Sequence, residues 1–334
     1  MRVLISATSR SGKRFQGRGV EGDGCIYVCG YNPTSKVLQR VKAVYLPKPL
    51  FIGNKHRLGA RGLAMLPSGN IVCANHDSVF LMEPEGFTII NGMSLVSTGD
   101  VHDLVLDKAN KRIAVTCASS DSIQFLDYNL NHIGGWKACE VKDLHPYMVK
   151  KHKRKMNVPI KFDNRQNFPL YDFRMSFNGD VFHLNTAFMW NGCLYTIFST
   201  MAKLYNITEN KMMDMDFNIV NPYYKGGRLH SGVIHGDILT ILNTHHGIVE
   251  QYNMKTQKRI RGLKCKDSAS SSSGLSSVLQ NGFLRGMLAL GPNEFLVGQI
   301  GPRVYHVDFS TNKVKELANF EGSDRWSVYA MATL

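Results

Sequence analysis

Five side chains suited to binding a metal or an anion, Arg61, His102, His183, His230 and Arg285, each open the same kind of phrase. The phrases are RGLAMLPSGNIVCAN at 61–75, HDLVLDKANKRIAVT at 102–116, HLNTAFMWNGCLYT at 183–196, HSGVIHGDILTILN at 230–243 and RGMLALGPNEFLVG at 285–298. Imidazole is a good ligand for borderline-soft metals. Three histidines with an open position can hold a divalent transition metal (Zn, Fe, Mn or Cu) and leave room for water or substrate. Such a metal lowers the pKa of bound water and polarises a bound oxygen. Guanidinium groups beside it clamp a carboxylate, phosphate or sulfate through paired hydrogen bonds. The expected roles are metal ligation by His102, His183 and His230, with Arg61 and Arg285 fixing the substrate as catalytic residues. Any one of the five, taken alone, is better explained as a side chain satisfied by backbone or solvent in a wet channel. Five donors at one repeat position ask for a shared acceptor: a carboxylate, water, an anion or a metal. Asp103, next to His102, and Asn185, two residues past His183, are placed to fix a histidine tautomer from behind.

The elements that must position these residues follow from the repeat. Each phrase is an apolar strand, a tight turn with Gly or Asn, and a second apolar strand, which is a hairpin signal. A third strand follows most copies, at 78–82, 122–127, 248–252 and 304–308. Successive anchors lie 41, 81, 47 and 55 residues apart. A period near 40 to 50 with about four short strands marks a β-propeller blade. The complete blades are expected at 61–100, 101–140, 181–220, 228–266 and 283–322. The strand-like run at 325–334, begun by Arg325, combines with strands in 1–57 to close the ring. Sharing one blade between the termini removes exposed sheet edges. The fold class is therefore all-β: a six-bladed propeller forming one domain, with a basic insertion at 141–180. That insertion lacks paired apolar strands and is read as a loop with a short helix near 146–155, although its length would also admit a seventh blade. The Ser-rich run at 268–277 reads as a flexible loop.

The innermost strand of each blade lines the central channel, so the five anchors are expected to converge on the axis. Asn75-His76-Asp77 and Asn243-Thr244-His245-His246 follow the second strands of two blades, where loops reach the channel mouth. His76, His245 and His246 are secondary site residues on that ground. The sequence holds no G-x-S-x-G, H-E-x-x-H, Walker loop or Rossmann fingerprint.

Two motif runs carry a family likeness. His183-Leu-Asn185 with Leu194-Tyr195, and Leu229-His-Ser231 with Gly236 and Leu242-Asn243, resemble a bacterial six-bladed propeller family of conserved hypothetical proteins. Phe283-Leu-Arg-Gly286, Phe295-Leu-Val-Gly298, Arg303 and Val101-His-Asp-Leu104 fit the same pattern in order, over about residues 60 to 305. Arg303 joins the secondary site residues through this match. The chain departs from the pattern at Gly232, where the family has Pro, and after His102, where Cys117-Ala-Ser-Ser replaces an asparagine-containing run. The resemblance implies the fold and a shared central cluster, and no activity.

Composition limits the remaining choices. The chain has 334 residues, 43% hydrophobic, with a net charge of +14, which excludes disorder and small disulfide scaffolds. The basicity is local: 1–57, 141–180 and 255–266 carry +9, +5 and +6, and the rest is acidic. Seven cysteines, mostly inside apolar strands, read as buried free thiols. Cys25 and Cys29 share a strand face and are not a zinc pair. No apolar window is long enough for a membrane span, and the first residues lack a secretory apolar stretch, so a cytoplasmic protein is expected. The leading function is an enzyme with a metal- or anion-binding centre in the channel, acting on a small anionic or oxygen-rich substrate. The alternative is a non-catalytic module whose basic segments bind an acidic partner or ligand. Nucleic acid, suggested by the basic run at 150–155, is the weakest partner because base-stacking aromatics are sparse there.

Overall fold

The computed structural model describes residues 1–10, 25–46, 57–95, 100–148, 181–217, 229–244, 246–265, 283–301, 303–320 and 327–334. Six antiparallel sheets form a ring, a six-bladed β-propeller. From the axis outward, blade 1 runs Gly62–Met65, Ile71–Ala74, Ser78–Met82 and Ile89–Ser94. Blade 2 runs Val101–Asp107, Arg112–Cys117, Ser122–Asp127 and His132–Lys137. Blade 3 runs Leu184–Trp190, Cys193–Phe198, Lys203–Asn206 and Lys211–Met213. Blade 4 runs Leu229–His235, Ile238–Asn243, Ile248–Asn253 and Lys258–Lys264. Blade 5 runs Leu284–Ala289, Glu294–Gln299, Arg303–Asp308 and Lys313–Asn319. Blade 6 takes its inner strand from the C-terminal side, Ser327–Thr333, and continues with Arg2–Arg10, Cys25–Asn32 and Val37–Tyr45.

The packing explains why second and third strands read as unbroken apolar runs. Each sheet buries both faces against its neighbours, and the core consists of six clusters, one per blade boundary. Trp136 and Ile123 of blade 2 meet Phe198 and Tyr205 of blade 3, while Val115 and Leu126 meet Val72 and Leu81 of blade 1. Each such side chain contributes roughly 1.5–3 kcal/mol on burial. Outer strands touch solvent, so Lys258–Lys264 carries four charges. The Asn191-Gly192 turn of blade 3 has both residues at positive φ (48° and 77°), the hairpin geometry that matches strand twist.

Ring closure is made by Ser327–Thr333 pairing with Arg2–Arg10, Val3 opposite Thr333 and Ala7 opposite Val328. Polar pins reinforce the seam: the Ala330 amide donates to Ser6 Oγ at 2.8 Å, and Thr8 and Ser327 hydroxyls meet at 3.1 Å. Cys25 and Cys29 share one buried face with Tyr27 and Tyr31, and all seven cysteines are free. After blade 2 come two single-turn 3-10 helices, Ala138–Glu140 and Lys142–Leu144, then helical residues 145–148, overlapping the start of the expected short helix. The rest of the insertion with its basic run at 150–155, the Ser-rich loop at 268–277, His245 and Arg325 lie outside the described residues. No helix among the described residues is long and apolar enough to cross a membrane.

Candidate functional site

The inner strands of blades 2 to 5 are bent just where their anchors sit. In blades 4 and 5 the register slips immediately after His230 and Arg285, with Ser231 (φ 51°) and Gly286 (φ 67°) in the left-handed region. In blade 3 His183 itself has φ 56°, ahead of a slip between Leu184 and Ala187. Such bulges re-aim side chains. Only glycine fits at position 286, where an added Cβ would lie 2.8 Å from the Tyr329 carbonyl carbon.

His183 is held from below. Asp121, in a left-handed conformation after the short turn Ala118–Ser120, is buried, and its carboxylate accepts the amides of Val181, Phe182 and His183 at 2.6, 3.0 and 3.0 Å. This fixes the path of the chain into blade 3.

The cluster centres on two residues absent from the repeat. Asp100 pairs with Arg61, and its oxygens lie 3.5 Å from His76 Nε2 and 3.4 Å from His102 Nε2. Arg61 also donates to the Val101 carbonyl at 2.9 Å. Tyr329 of the closing strand hydrogen-bonds His102 Nδ1 through its hydroxyl at 2.6 Å. Its ring carries the guanidinium of Arg285 at 4.6 Å and that of Arg61 at 5.5 Å. The His183 ring meets His102 edge-on at 4.9 Å between centroids, and His230 lies 6.1 Å from His102. His230 Nδ1 contacts Thr244 Oγ1 at 2.9 Å and the Asn185 amide nitrogen at 3.5 Å. Asn185 also donates to Ser199 Oγ and the Leu229 carbonyl, so it supports His230 rather than His183.

Electrostatics follow from burial and these contacts. Burial pushes the Asp100 carboxyl up, but Arg61, His102 and His76 outweigh it and hold it well below the usual carboxylate range. Burial pushes His102 well below an ordinary histidine, with Asp100 opposing, so His102 stands as a neutral imidazole. A neutral His102 offers Nε2 to a metal when Nδ1 carries the ring proton and donates it to the Tyr329 oxygen.

Asp100, His102 and His183 form a group able to hold a metal ion, with ligand atoms all within 4.8 Å of one another. Asp100, which the repeat did not mark, stands beside His102 and His183 here, while His230 directs its Nδ1 to Thr244. His76 joins the cluster through Asp100. Asp103 does not back His102; it accepts from Thr186 Oγ1 at 2.7 Å and the Leu104 amide at 2.9 Å, bridging blades 2 and 3. Burial raises its pKa to about 6, opposed by those donors. Arg303 lies on the third strand of blade 5, 3.7 Å from Glu316 on the outermost strand, away from the axis. The His246 amide closes a turn onto the Asn243 carbonyl at 3.2 Å.

No known protein family matches the sequence, and no curated protein matches it either. Solved structures do resemble it. A protein of unknown function from Bacteroides caccae superposes at TM-score 0.58 with 10% identity, covering 100% of this chain and 98% of that one. A chain of a nidogen/laminin complex gives 0.59 at 11%, covering 98% and 97%. A catalytically inactive virginiamycin B lyase from Staphylococcus aureus with quinupristin gives 0.50 at 11%, covering 81% and 73%. Identities this low identify no single family, and what the likeness shows is the fold: this chain is a six-bladed β-propeller.

Proposed function

We propose that the axial cluster is the reaction centre of an enzyme, with a divalent transition metal held by Asp100, His102 and His183. The observation that carries this reading is the approach of three ligand atoms within 4.8 Å. Metal–ligand bonds of about 2.0–2.2 Å would require only a small closing of the site. With Nδ1–H donating to the Tyr329 oxygen, Nε2 of His102 is the ligating nitrogen, and Asp100 keeps one oxygen for Arg61 while the other faces His102. Arg285 and Arg61 around Tyr329 supply positive potential for a small anionic or oxygen-rich substrate. Zn, Fe, Mn and Cu all suit this donor set.

One observation favours a second reading, a non-catalytic module for an acidic ligand or partner: the Arg61 guanidinium is already paired with Asp100, which suits a structural core. The fold serves both roles, since its structural neighbours include a lyase and a nidogen/laminin complex. Metal analysis of untagged protein separates the two. The enzyme reading expects one ion per chain, lost in the His102→Ala/His183→Ala double variant; a metal-free protein whose thermal stability ignores added metals would overturn it.

A further inference from the structure

Along the axis from the cluster, the channel widens into a cavity of about 290 Å³ to which the inner strands of all six blades contribute. Tyr329 belongs to both: its hydroxyl meets His102, and the residue also lines the cavity. Most of the remaining lining side chains are apolar, including Leu63, Phe188, Met287 and Met331, while the surface presented is shared between polar and apolar atoms. The volume is about twice the ~150 Å³ that accommodates benzene in an apolar protein cavity.

One carboxylate stands in this lining. Asp103 lines the cavity, and its carboxylate accepts from the Leu104 amide, the Thr186 hydroxyl at 2.7 Å and, at 3.4 Å, the Ala187 amide. All three donors are neutral, and among the described residues no Lys, Arg or His pairs with it. A carboxylate bordering a cavity without a counter-charge attracts a cation and repels an anion. A bare metal ion is poorly served, because hard cations need several oxygen ligands and Asp103 is the one carboxylate among the lining residues. The matching guest carries one positive charge on an apolar body.

We propose that this cavity binds a primary alkyl- or arylalkylamine, its ammonium on Asp103 and its apolar body against Phe188, Met287 and Met331. The inference goes beyond the metal reading and does not depend on it.

Three methionines in the wall, Met189, Met287 and Met331, allow a direct test on the full chain. Protein labelled with 13C at the methionine methyl groups is titrated in EDTA with n-hexylammonium, n-hexanol and hexanoate, with peaks assigned by single Met→Leu variants. The expected result is saturable shifting of these three methyls, with hexylammonium at least tenfold tighter than hexanol and hexanoate weaker still. Asp103→Asn should remove the preference for the amine while leaving hexanol binding unchanged. Should that variant fail to fold, Ala187→Leu, which fills the cavity from the neighbouring blade 3, should abolish hexylammonium binding. Hexanol binding as tightly as the amine, or no shift of these methyls, overturns the proposal. Because EDTA removes metal, this outcome is separate from that of the metal analysis.

Discussion

Asp121→Asn tests how the fold carries His183 to the axis. The carboxylate of Asp121 is almost wholly buried and accepts three consecutive amides, Val181 on one oxygen and Phe182 and His183 on the other. Asparagine can keep one oxygen for Phe182 and His183, but its amide then faces the Val181 N–H, donor against donor. An orphaned buried N–H costs about 1–3 kcal/mol, and the two remaining bonds lose their charge assistance, about 1 kcal/mol between them. The expected loss is about 2–4 kcal/mol by urea denaturation, rising to about 3–9 kcal/mol for Asp121→Ala, which orphans all three amides. Metal affinity should fall with it, because His183 leaves its place beside His102. Val304→Ala, which loosens the boundary between blades 5 and 6 instead, should lower stability without weakening the metal. An Asp121→Asn protein within about 0.5 kcal/mol of the parent, well inside the cost of a single orphaned amide, would refute the argument.

Further outcomes follow from the same contacts. Tyr329→Phe removes the 2.6 Å bond to His102 Nδ1, and metal affinity should drop about 10- to 100-fold, measured by competition with a chelator; an unchanged affinity contradicts the assigned tautomer. Gly298→Ala would put a Cβ 2.3 Å from Val328 Cγ1 and 2.5 Å from the Arg285 carbonyl oxygen. Because backbone must move, it should destabilise by several times the ~1 kcal/mol typical of a point substitution and impair closure, read by thermal unfolding. Burial raises the Cys73 and Cys265 thiols to about 12 and the Cys25 and Cys139 thiols to about 11. Alkylation of native protein at pH 8 should therefore modify the half-buried Cys193 first, and these four only on unfolding.

The propeller was legible because its strands repeat a pattern that packing enforces. An inner strand begun by Arg or His, a turn and a wholly buried second strand recur wherever a sheet is sandwiched between two others. The third strands Ser78–Met82 and Ser122–Asp127 fall where the apolar runs place them. The five anchors were visible for the same reason, and the structure does gather them. The acceptor shared by Arg61 and His102 was not. Asp100 precedes its strand in a loop with φ 49°, and nothing in its neighbours marks it until the ring brings Arg61, His76 and His102 around it. Tyr329 lies off the repeat register, four residues past Arg325, and meets His102 across 227 positions of sequence. Asp103 was expected behind His102 because it is adjacent in sequence. In a strand, neighbouring side chains point to opposite faces, which sends Asp103 to the cavity instead. A search for carboxylates one or two residues outside each anchor would have found Asp100; no local signal would have found Tyr329.

The most direct test of a metal at the propeller axis is anomalous diffraction from crystals grown with Zn²⁺ or Mn²⁺ and measured at the absorption edge. One peak bounded by Asp100, His102 and His183, and absent from His102→Ala/His183→Ala crystals, is the result predicted. Well-ordered crystals with those three side chains in place and no peak between them would contradict the account.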